Sequence, residues 1–265
     1  MMMLRSGLRR ALLLLLLGLM AAGGAHAACE SGLAERMNAK LYPDRPLDER
    51  LAACKLWPAF PGRSIVVLPV PHEASSTGAR VFDLELLLIQ RPDNGNTERD
   101  TVIARLRQPE ALDEDSAAAI QDIRIDTSRY LLSSDMRAFG LRVRYRGIAP
   151  GSSTAVETLR LYVQHGSKLR EVLAEIALDH DSGEWDQNCT GHFEKLRTML
   201  SVAPQTSNGW HDLQLSRTRT RTRALWRDDD QNCTEVALPA RFDTVTLRYD
   251  GERYRVPKSL RDPVP

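Results

Sequence analysis

The stretch SIVVLPV at residues 64–70 begins the part of the chain that decides the fold. From here onward, β-branched and other apolar residues recur in short runs or alternate with polar ones, which is typical of strands. Clusters of Pro, Gly, Asn and Asp separate these runs, as turns between antiparallel strands require. The predicted strands are Ser64–Val70, Val81–Arg91, Thr101–Arg107, Asp122–Thr127, Arg137–Arg146, Glu157–Gln164, Leu169–Leu178, Leu196–Val202, Leu213–Trp226 and Val245–Tyr249. The sequence therefore predicts a mostly β protein of antiparallel sheets, in a sandwich-like or meander-like arrangement.

Upstream of this β-rich body, residues 28–62 predict a short helical hairpin. Apolar residues recur at helical spacing through 33–41, and a second apolar stripe follows Pro46, which is well placed to open a second helix. Antiparallel helices would bring the start of the first beside the end of the second. Those are the positions of Cys29 and Cys54, so we expect a disulfide-linked hairpin.

Residues 1–27 have the pattern of a secretory signal peptide. Arginines precede an apolar stretch, and Ala25-His26-Ala27 supplies the small-x-small cleavage pattern, so the mature chain should begin at Ala28. The apolar stretch is shorter than the roughly 20 residues that a membrane-spanning helix needs. We therefore expect a protein that is periplasmic or secreted, soluble after signal cleavage and not membrane-spanning.

The four cysteines predict two disulfides, because an even number in an exported chain is typical of paired cysteines. Three connectivities are possible. We favour Cys29–Cys54 and Cys189–Cys233, since each pair falls within one region of the sequence. The alternative for Cys29 is a lipidated N-terminus, but residues 26–28 lack the upstream aliphatic residue of a lipoprotein signal, and lipidation would leave an odd number of thiols.

Charge and length limit the possible classes of protein. The whole chain has a formal net charge of +1, and removal of the arginine-bearing signal leaves it near neutral, which argues against a nucleic-acid binder. The segment 147–153, rich in Gly and Ser, is the candidate seam in the β-rich body. We therefore expect a first β-rich half over 63–150 and a second over 151–265, as two domains or as one continuous domain.

The heptapeptide RTRTRTR at residues 217–223 is the most distinctive local pattern. Because side chains alternate along a strand, its arginines should share one face and its threonines the other. Four guanidinium groups on one face could bind phosphate, carboxylate or a polyanionic surface. The alternative is a solvated sheet face with acidic partners on the neighbouring strand. The candidate anion-binding residues are Arg217, Arg219, Arg221 and Arg223, opposite Thr218, Thr220 and Thr222.

An acidic segment is the one weak candidate for a metal site. Asp179, Asp181 and Asp186 surround a glycine turn, and oxygen ligands in such a loop can bind Ca²⁺. The twelve-residue helix-loop-helix template fails, however, because Thr190 stands at its last ligand position, and an acidic turn in water is the alternative. The histidines form no zinc-binding pair, although His180 could meet His192 across the loop. We expect no cofactor.

Motifs for a named reaction are missing from the sequence. It contains no Gly-x-Ser-x-Gly, phosphate loop, His-Glu-x-x-His or Ser-x-x-Lys pattern. We therefore expect a binding or interaction protein of the cell envelope, with an envelope protein or polymer as its partner. One alternative is an envelope hydrolase whose catalytic groups come from distant strands. Another is a secreted inhibitor or immunity-type protein that presents a projecting loop or rigid edge.

The second half also resembles secreted proteins of Gram-negative bacteria that carry no described activity. The segments that carry the resemblance are GEWD at 183–186, CTG at 189–191, SNGWHDL at 207–213 and YDGERY at 249–254. The resemblance covers about a third of the chain. It implies an exported location and a β fold, with no activity attached.

Overall fold

The computed structural model describes residues 29, 32–72, 80–92, 99–114, 118–227 and 232–260. This part of the chain contains one short α-helix and eleven strands. The helix is α1 (Leu33–Leu41), and a 3₁₀ turn (Lys258–Leu260) lies near the C-terminus. The strands are β1 (Ala53–Leu56), β2 (Arg63–Pro71), β3 (Arg80–Gln90), β4 (Thr101–Glu114), β5 (Ala119–Leu131), β6 (Arg137–Ala149), β7 (Ser152–His165), β8 (Lys168–Trp185), β9 (Gly191–Ser207), β10 (Trp210–Arg227) and β11 (Asn232–Leu247).

The strands form one curled sheet in the order β1-β2-β3-β4-β8-β7-β6-β5, and β9, β10 and β11 continue from the far end of β8. Neighbouring strands are antiparallel except for one short parallel contact between β4 and β8. The two ends of the curl approach each other. Arg50 Nη1 donates to the carbonyl of Ile120 at 2.9 Å, and Lys55 Nζ donates to that of Ile125 at 3.1 Å.

The main hydrophobic core fills the inside of this curl. Trp57 packs edge-on against Phe139 with ring centroids 5.5 Å apart, and Phe139 stacks on Tyr162 at 5.6 Å. The Tyr162 hydroxyl donates to Gln108 Oε1 at 2.8 Å, so this buried polar group is satisfied. Helix α1 covers the outer face of β2 and β3 through Leu33, which is buried together with its neighbours.

A second core lies on the opposite face of β6, β7 and β8, where the C-terminal segment covers it. The backbone N–H of Tyr254 donates to the carbonyl of Val172 at 2.8 Å, and the Tyr254 hydroxyl donates to the carbonyl of His211 at 2.6 Å. Trp210 stacks on Tyr249 with centroids 4.1 Å apart. These contacts hold the C-terminal segment across β8, where it forms one wall of the site described below.

Strands β9, β10 and β11 form a three-stranded arm that extends from this second core. The inner end of β10 is buried through Leu213 and Leu215, whereas β11 is exposed along most of its length. Several large apolar side chains on the arm are exposed, and the most exposed are Met199 at 72% and Phe242 at 75%. The disulfide between Cys189 and Cys233 joins the loop after β8 to the outer end of the arm, with Cα atoms 6.3 Å apart.

The predicted N-terminal helical hairpin is only half present. Helix α1 forms as expected, but residues 49–51 form a turn, and β1 replaces the second helix. The reason is pairing and burial: β1 pairs with β2 from Ala53 opposite Val67 onward, and its apolar residues then enter the main core. A short second helix would leave this sheet edge unpaired. The Cys29–Cys54 disulfide is present all the same, with Cα atoms 4.8 Å apart.

The mostly β prediction is confirmed. The predicted strand Leu169–Leu178 lies within β8. The candidate seam at 147–153 comprises the end of β6, a tight turn and the start of β7, and the two strands pair with each other up to the turn. The predicted division into halves stays a prediction. The predicted signal peptide, residues 1–27, lies outside the described residues. In the part of the chain that the structure describes, no helix is long and apolar enough to cross a membrane.

A buried carboxylate ties β5, β6 and β7 together on the outer face of the sheet. The Glu157 side chain is only 7% exposed and accepts hydrogen bonds from Arg142 Nη1 at 2.8 Å, from Arg144 Nη2 at 3.0 Å and from Arg124. Burial opposes its charged form, but these three arginines outweigh burial and lower the pKa of Glu157.

Asp126 belongs to the same network and makes stability depend on pH. Burial opposes its charge, yet donors from Ser128, Tyr130 and Arg142 lower the pKa of Asp126 to about 2. A carboxylate with a lowered folded pKa stabilises the native state above its unfolded pKa, and this contribution is lost as pH falls through the folded value. We expect Asp126→Asn to cost about 2 kcal/mol at neutral pH and much less near pH 2, measured by urea unfolding at both pH values.

The matched control for this prediction is Asp135→Asn, at an exposed position in the turn between β5 and β6. Its effect on the free energy of unfolding should be small at both pH values. Equal destabilisation by Asp126→Asn at neutral and acidic pH would show that the carboxylate's charge contributes nothing.

Candidate functional site

The described residues enclose a cleft of about 420 Å³ between β8, the arm and the C-terminal segment. Its volume lies within the range of roughly 300–1,000 Å³ that is usual for small-molecule sites. Ile176 of β8 and Leu196 and Leu215 of the arm form an apolar floor, and Val256 and Leu260 of the C-terminal segment form a wall. The cleft is therefore preformed and largely apolar at its base.

Strand periodicity explains how charged side chains reach the mouth of this cleft. β10 pairs with β9 without a register shift from Leu213 to Ala224, so alternate residues of β10 keep one face over this length. Leu213 and Leu215 occupy the buried part of that face. The next residues on the same face are the arginine row, by which we mean Arg217, Arg219, Arg221 and Arg223.

Arg217 is the innermost member of the arginine row and lines the cleft. Its side chain is only 11% exposed, and its nearest acidic atom in the described part of the chain, Asp243 Oδ2, lies 3.6 Å away. Its guanidinium makes no hydrogen bond to any described residue. Thr198, its cross-strand partner on β9, also lines the cleft, and the buried Thr198 Oγ1 has no hydrogen-bond partner among the described residues. Two neighbouring donors are thus unused at one place.

The outer members of the arginine row have different surroundings. Arg219 Nη1 lies 3.0 Å from Glu194 Oε1, and Arg221 Nε lies 3.5 Å from Glu194 Oε2. For Arg223, the described residues supply no ion pair. Arg219 and Arg221 therefore match the alternative prediction of a solvated face with acidic partners on the neighbouring strand. Arg217 also has an acidic neighbour, Asp243 of β11, but its side chain is only 11% exposed.

The cleft has an excess of positive charge. Arg253 and Arg255 line it from the C-terminal segment, beside Arg217 and Arg219 of the arm. The lining glutamates are already paired, Glu194 with Arg219 and Arg221, and Glu175 with Arg160. Of the arginines from the C-terminal segment, Arg255 is paired with Asp250. An anion entering the cleft would therefore meet more cationic than anionic groups.

His180 and His192, whose meeting would favour the hydrolase alternative, do not lie together. His180 lines the cleft and pairs with Leu196, whereas His192 lies opposite Glu184, further out on the arm. His180 makes no hydrogen bond to a described residue, so nothing in this part of the chain orients it as a general base.

The acidic segment is arranged around arginine and backbone donors. Arg197 contacts Asp181 Oδ1 at 2.5 Å and Asp179 Oδ1 at 3.7 Å. Asp186 Oδ1 accepts the backbone N–H groups of Asn188 and Thr190 at 2.8 and 2.9 Å and so closes a turn. Among the residues that the structure describes, no group of three or more His, Cys, Asp or Glu side chains is placed to hold a metal.

Several cleft residues have no signal in the sequence that marks them. Thr198 is one threonine among many, and Arg253 and Arg255 follow a turn far along the chain. The one usable signal is the period-two stripe that runs from Leu213 and Leu215 into the arginine row. It indicates that one strand face passes from the core to the surface.

Together, the fold and the cleft define a disulfide-stabilised β-rich protein with a preformed, positively charged site. The chain matches no family model, no curated protein and no solved structure. Function therefore has to follow from the chemistry of the cleft itself.

Proposed function

We propose that this chain is an exported binding protein of the cell envelope and that the cleft holds an anionic ligand. Its two disulfides support an oxidising, extracytoplasmic location. The observation that carries the proposal is Arg217, whose side chain is only 11% exposed and whose guanidinium, 3.6 Å from Asp243 Oδ2, makes no hydrogen bond within the described chain.

Arg217 has one ion-pair contact, with Asp243 Oδ2 at 3.6 Å, and no hydrogen bond to a described residue, so its guanidinium lacks a full set of protein partners. A phosphate or carboxylate in the cleft would supply these partners. Its oxygens could accept two parallel N–H groups of Arg217 and the hydroxyl of Thr198. Since the arm and the core fix both side chains before the ligand arrives, little conformational entropy is lost on binding.

The proposal is tested with butyl phosphate, a small monoester, titrated into the mature protein and followed by ³¹P NMR. We expect Arg217→Gln to weaken binding about tenfold or more, because a hydrogen bond between the anion and a charged group is lost. Affinity of the wild type should also fall as sodium chloride is added.

Arg223→Gln is the matched control, since Arg223 belongs to the same arginine row but does not line the cleft. It should bind butyl phosphate nearly as the wild type does. Equal losses in the two variants would place the anion on the outer surface of the arm and contradict the proposal. Absence of binding to the wild type would do the same.

Thr198→Val gives a prediction in which affinity and stability move in opposite directions. The substitution keeps the shape of the side chain and removes a buried hydroxyl without a partner, so the free protein should be unchanged or slightly more stable. Binding of butyl phosphate should weaken about threefold to tenfold, because one donor to the anion is lost. Thermal unfolding and the same NMR titration check both parts. Unchanged affinity would remove Thr198 from the site.

A further inference from the structure

We infer that the ligand is a single-chain amphiphile, with its hydrocarbon chain on the apolar floor and its anionic head between Arg217 and Thr198. This inference rests on the proposed function and specifies the class of ligand. It depends on the order of side chains along the cleft, which changes from apolar to cationic in one direction.

The apolar part of the cleft is the first support. Ile176, Leu196 and Leu215 line the cleft, and each is at most 6% exposed, so a small apolar part of each side chain forms the floor. Water bound there would find few hydrogen-bonding partners, and a hydrocarbon chain that replaced it would gain contacts with the floor. The C-terminal segment adds Val256 and Leu260 to the same surface.

Charge complementarity decides what the other end of the ligand must be. Along β10, the lining changes from Leu215 to Arg217 and then to Arg219, so the cations follow directly on the apolar floor. Arg253 and Arg255 bring two further cations from the C-terminal segment. A molecule that satisfies both ends carries an apolar chain and an anionic head.

The size of the cleft favours one chain over two. Its volume of about 420 Å³ is near the lower end of the usual range for ligand sites. The residues that line this small space come from β8, the arm and the C-terminal segment. A monoalkyl or monoacyl phosphate or carboxylate therefore fits this space better than a lipid with two chains.

The chain is tested by comparing three probes below their critical micelle concentrations: dodecyl phosphate, butyl phosphate and the uncharged dodecyl maltoside. A fully buried methylene contributes about fourfold in affinity. Burial of only part of the longer chain should therefore make dodecyl phosphate bind at least about 100-fold more tightly than butyl phosphate. Dodecyl maltoside should bind much more weakly than dodecyl phosphate. Isothermal titration calorimetry measures all three.

The outcomes separate this inference from the proposed function. If butyl and dodecyl phosphate bind equally and both depend on Arg217, the site takes an anion but no chain, and only the inference is overturned. If dodecyl maltoside binds as tightly as dodecyl phosphate, the head has no role and the inference is overturned as well. If neither phosphate binds, the proposed function is wrong, and the inference that rests on it is overturned with it.

A variant that fills the cleft tests the position of the chain. Ala174 of β8 lines the cleft and is partly exposed, so Ala174→Phe should occupy the space of the chain. We expect dodecyl phosphate to bind at least tenfold more weakly, with little change for butyl phosphate. Ala240→Phe, at an exposed position on β11, is the control. If Ala174→Phe and the wild type bind dodecyl phosphate equally well, the inference is overturned. If this variant does not fold, the three-probe comparison on the wild type decides the inference instead.

Discussion

Replacing Glu157 with alanine is expected to lower the free energy of unfolding by about 3–5 kcal/mol, the largest effect we predict for a charged residue. Glu157 contacts Arg124, Arg142 and Arg144 together on the outer face of β5, β6 and β7. Without it, three guanidinium groups would stand side by side with less negative charge between them. The melting temperature should fall by roughly 10 °C, which calorimetry can measure.

Asp122→Ala is the control for this prediction. Asp122 contacts two of the same arginines, Arg124 at 3.6 Å and Arg144 at 3.8 Å, but its side chain is 31% exposed. A half-solvated ion pair of this kind contributes less than about 1 kcal/mol. If the two variants lose similar stability, the burial of Glu157 is not what makes it important.

Replacing Tyr254 with alanine is expected to remove both stability and binding. Tyr254 is 1% exposed, packs in the second core and lines the cleft. The loss of a large buried side chain costs about 3–5 kcal/mol. Because Tyr254 holds the C-terminal segment over β8, the wall that carries Arg253, Arg255 and Val256 should also loosen, and affinity for dodecyl phosphate should fall at least tenfold.

Tyr254→Phe separates the hydroxyl from the ring. It removes only the hydrogen bond to the carbonyl of His211 and should cost about 1 kcal/mol, with binding nearly intact. If folded Tyr254→Ala still binds dodecyl phosphate with wild-type affinity, the C-terminal segment is not a wall of the ligand site. Urea unfolding and calorimetric titration at low temperature measure the two quantities on one sample.

The β-rich body could be predicted because each strand carries its own pattern of apolar residues and turn residues. The segment after Pro46 could not, because its apolar residues fit a short helix as well as a turn followed by a strand. Pairing of β1 with β2 decides between them, and that pairing depends on residues farther along the chain. Local periodicity carries no information about a free sheet edge.

The candidate site, like the fold, could be predicted from the sequence only in part. Alternation alone predicts that the arginine row shares one strand face. It does not predict that Arg217 is nearly buried while Arg221 faces solvent, because this depends on where the arm leaves the second core. The wall formed by Val256 and Leu260 could not be predicted from the sequence either, since it lies beside β8, which is far from it along the chain.

The most direct test of the cleft as an anion site is an experimental structure of the mature protein with dodecyl phosphate. We predict that the phosphate lies within hydrogen-bond distance of the guanidinium of Arg217 and of Thr198 Oγ1, with the alkyl chain against Leu215 and Ile176. A phosphate bound instead at Arg221 and Arg223 on the outer arm, with no chain in the cleft, would contradict it.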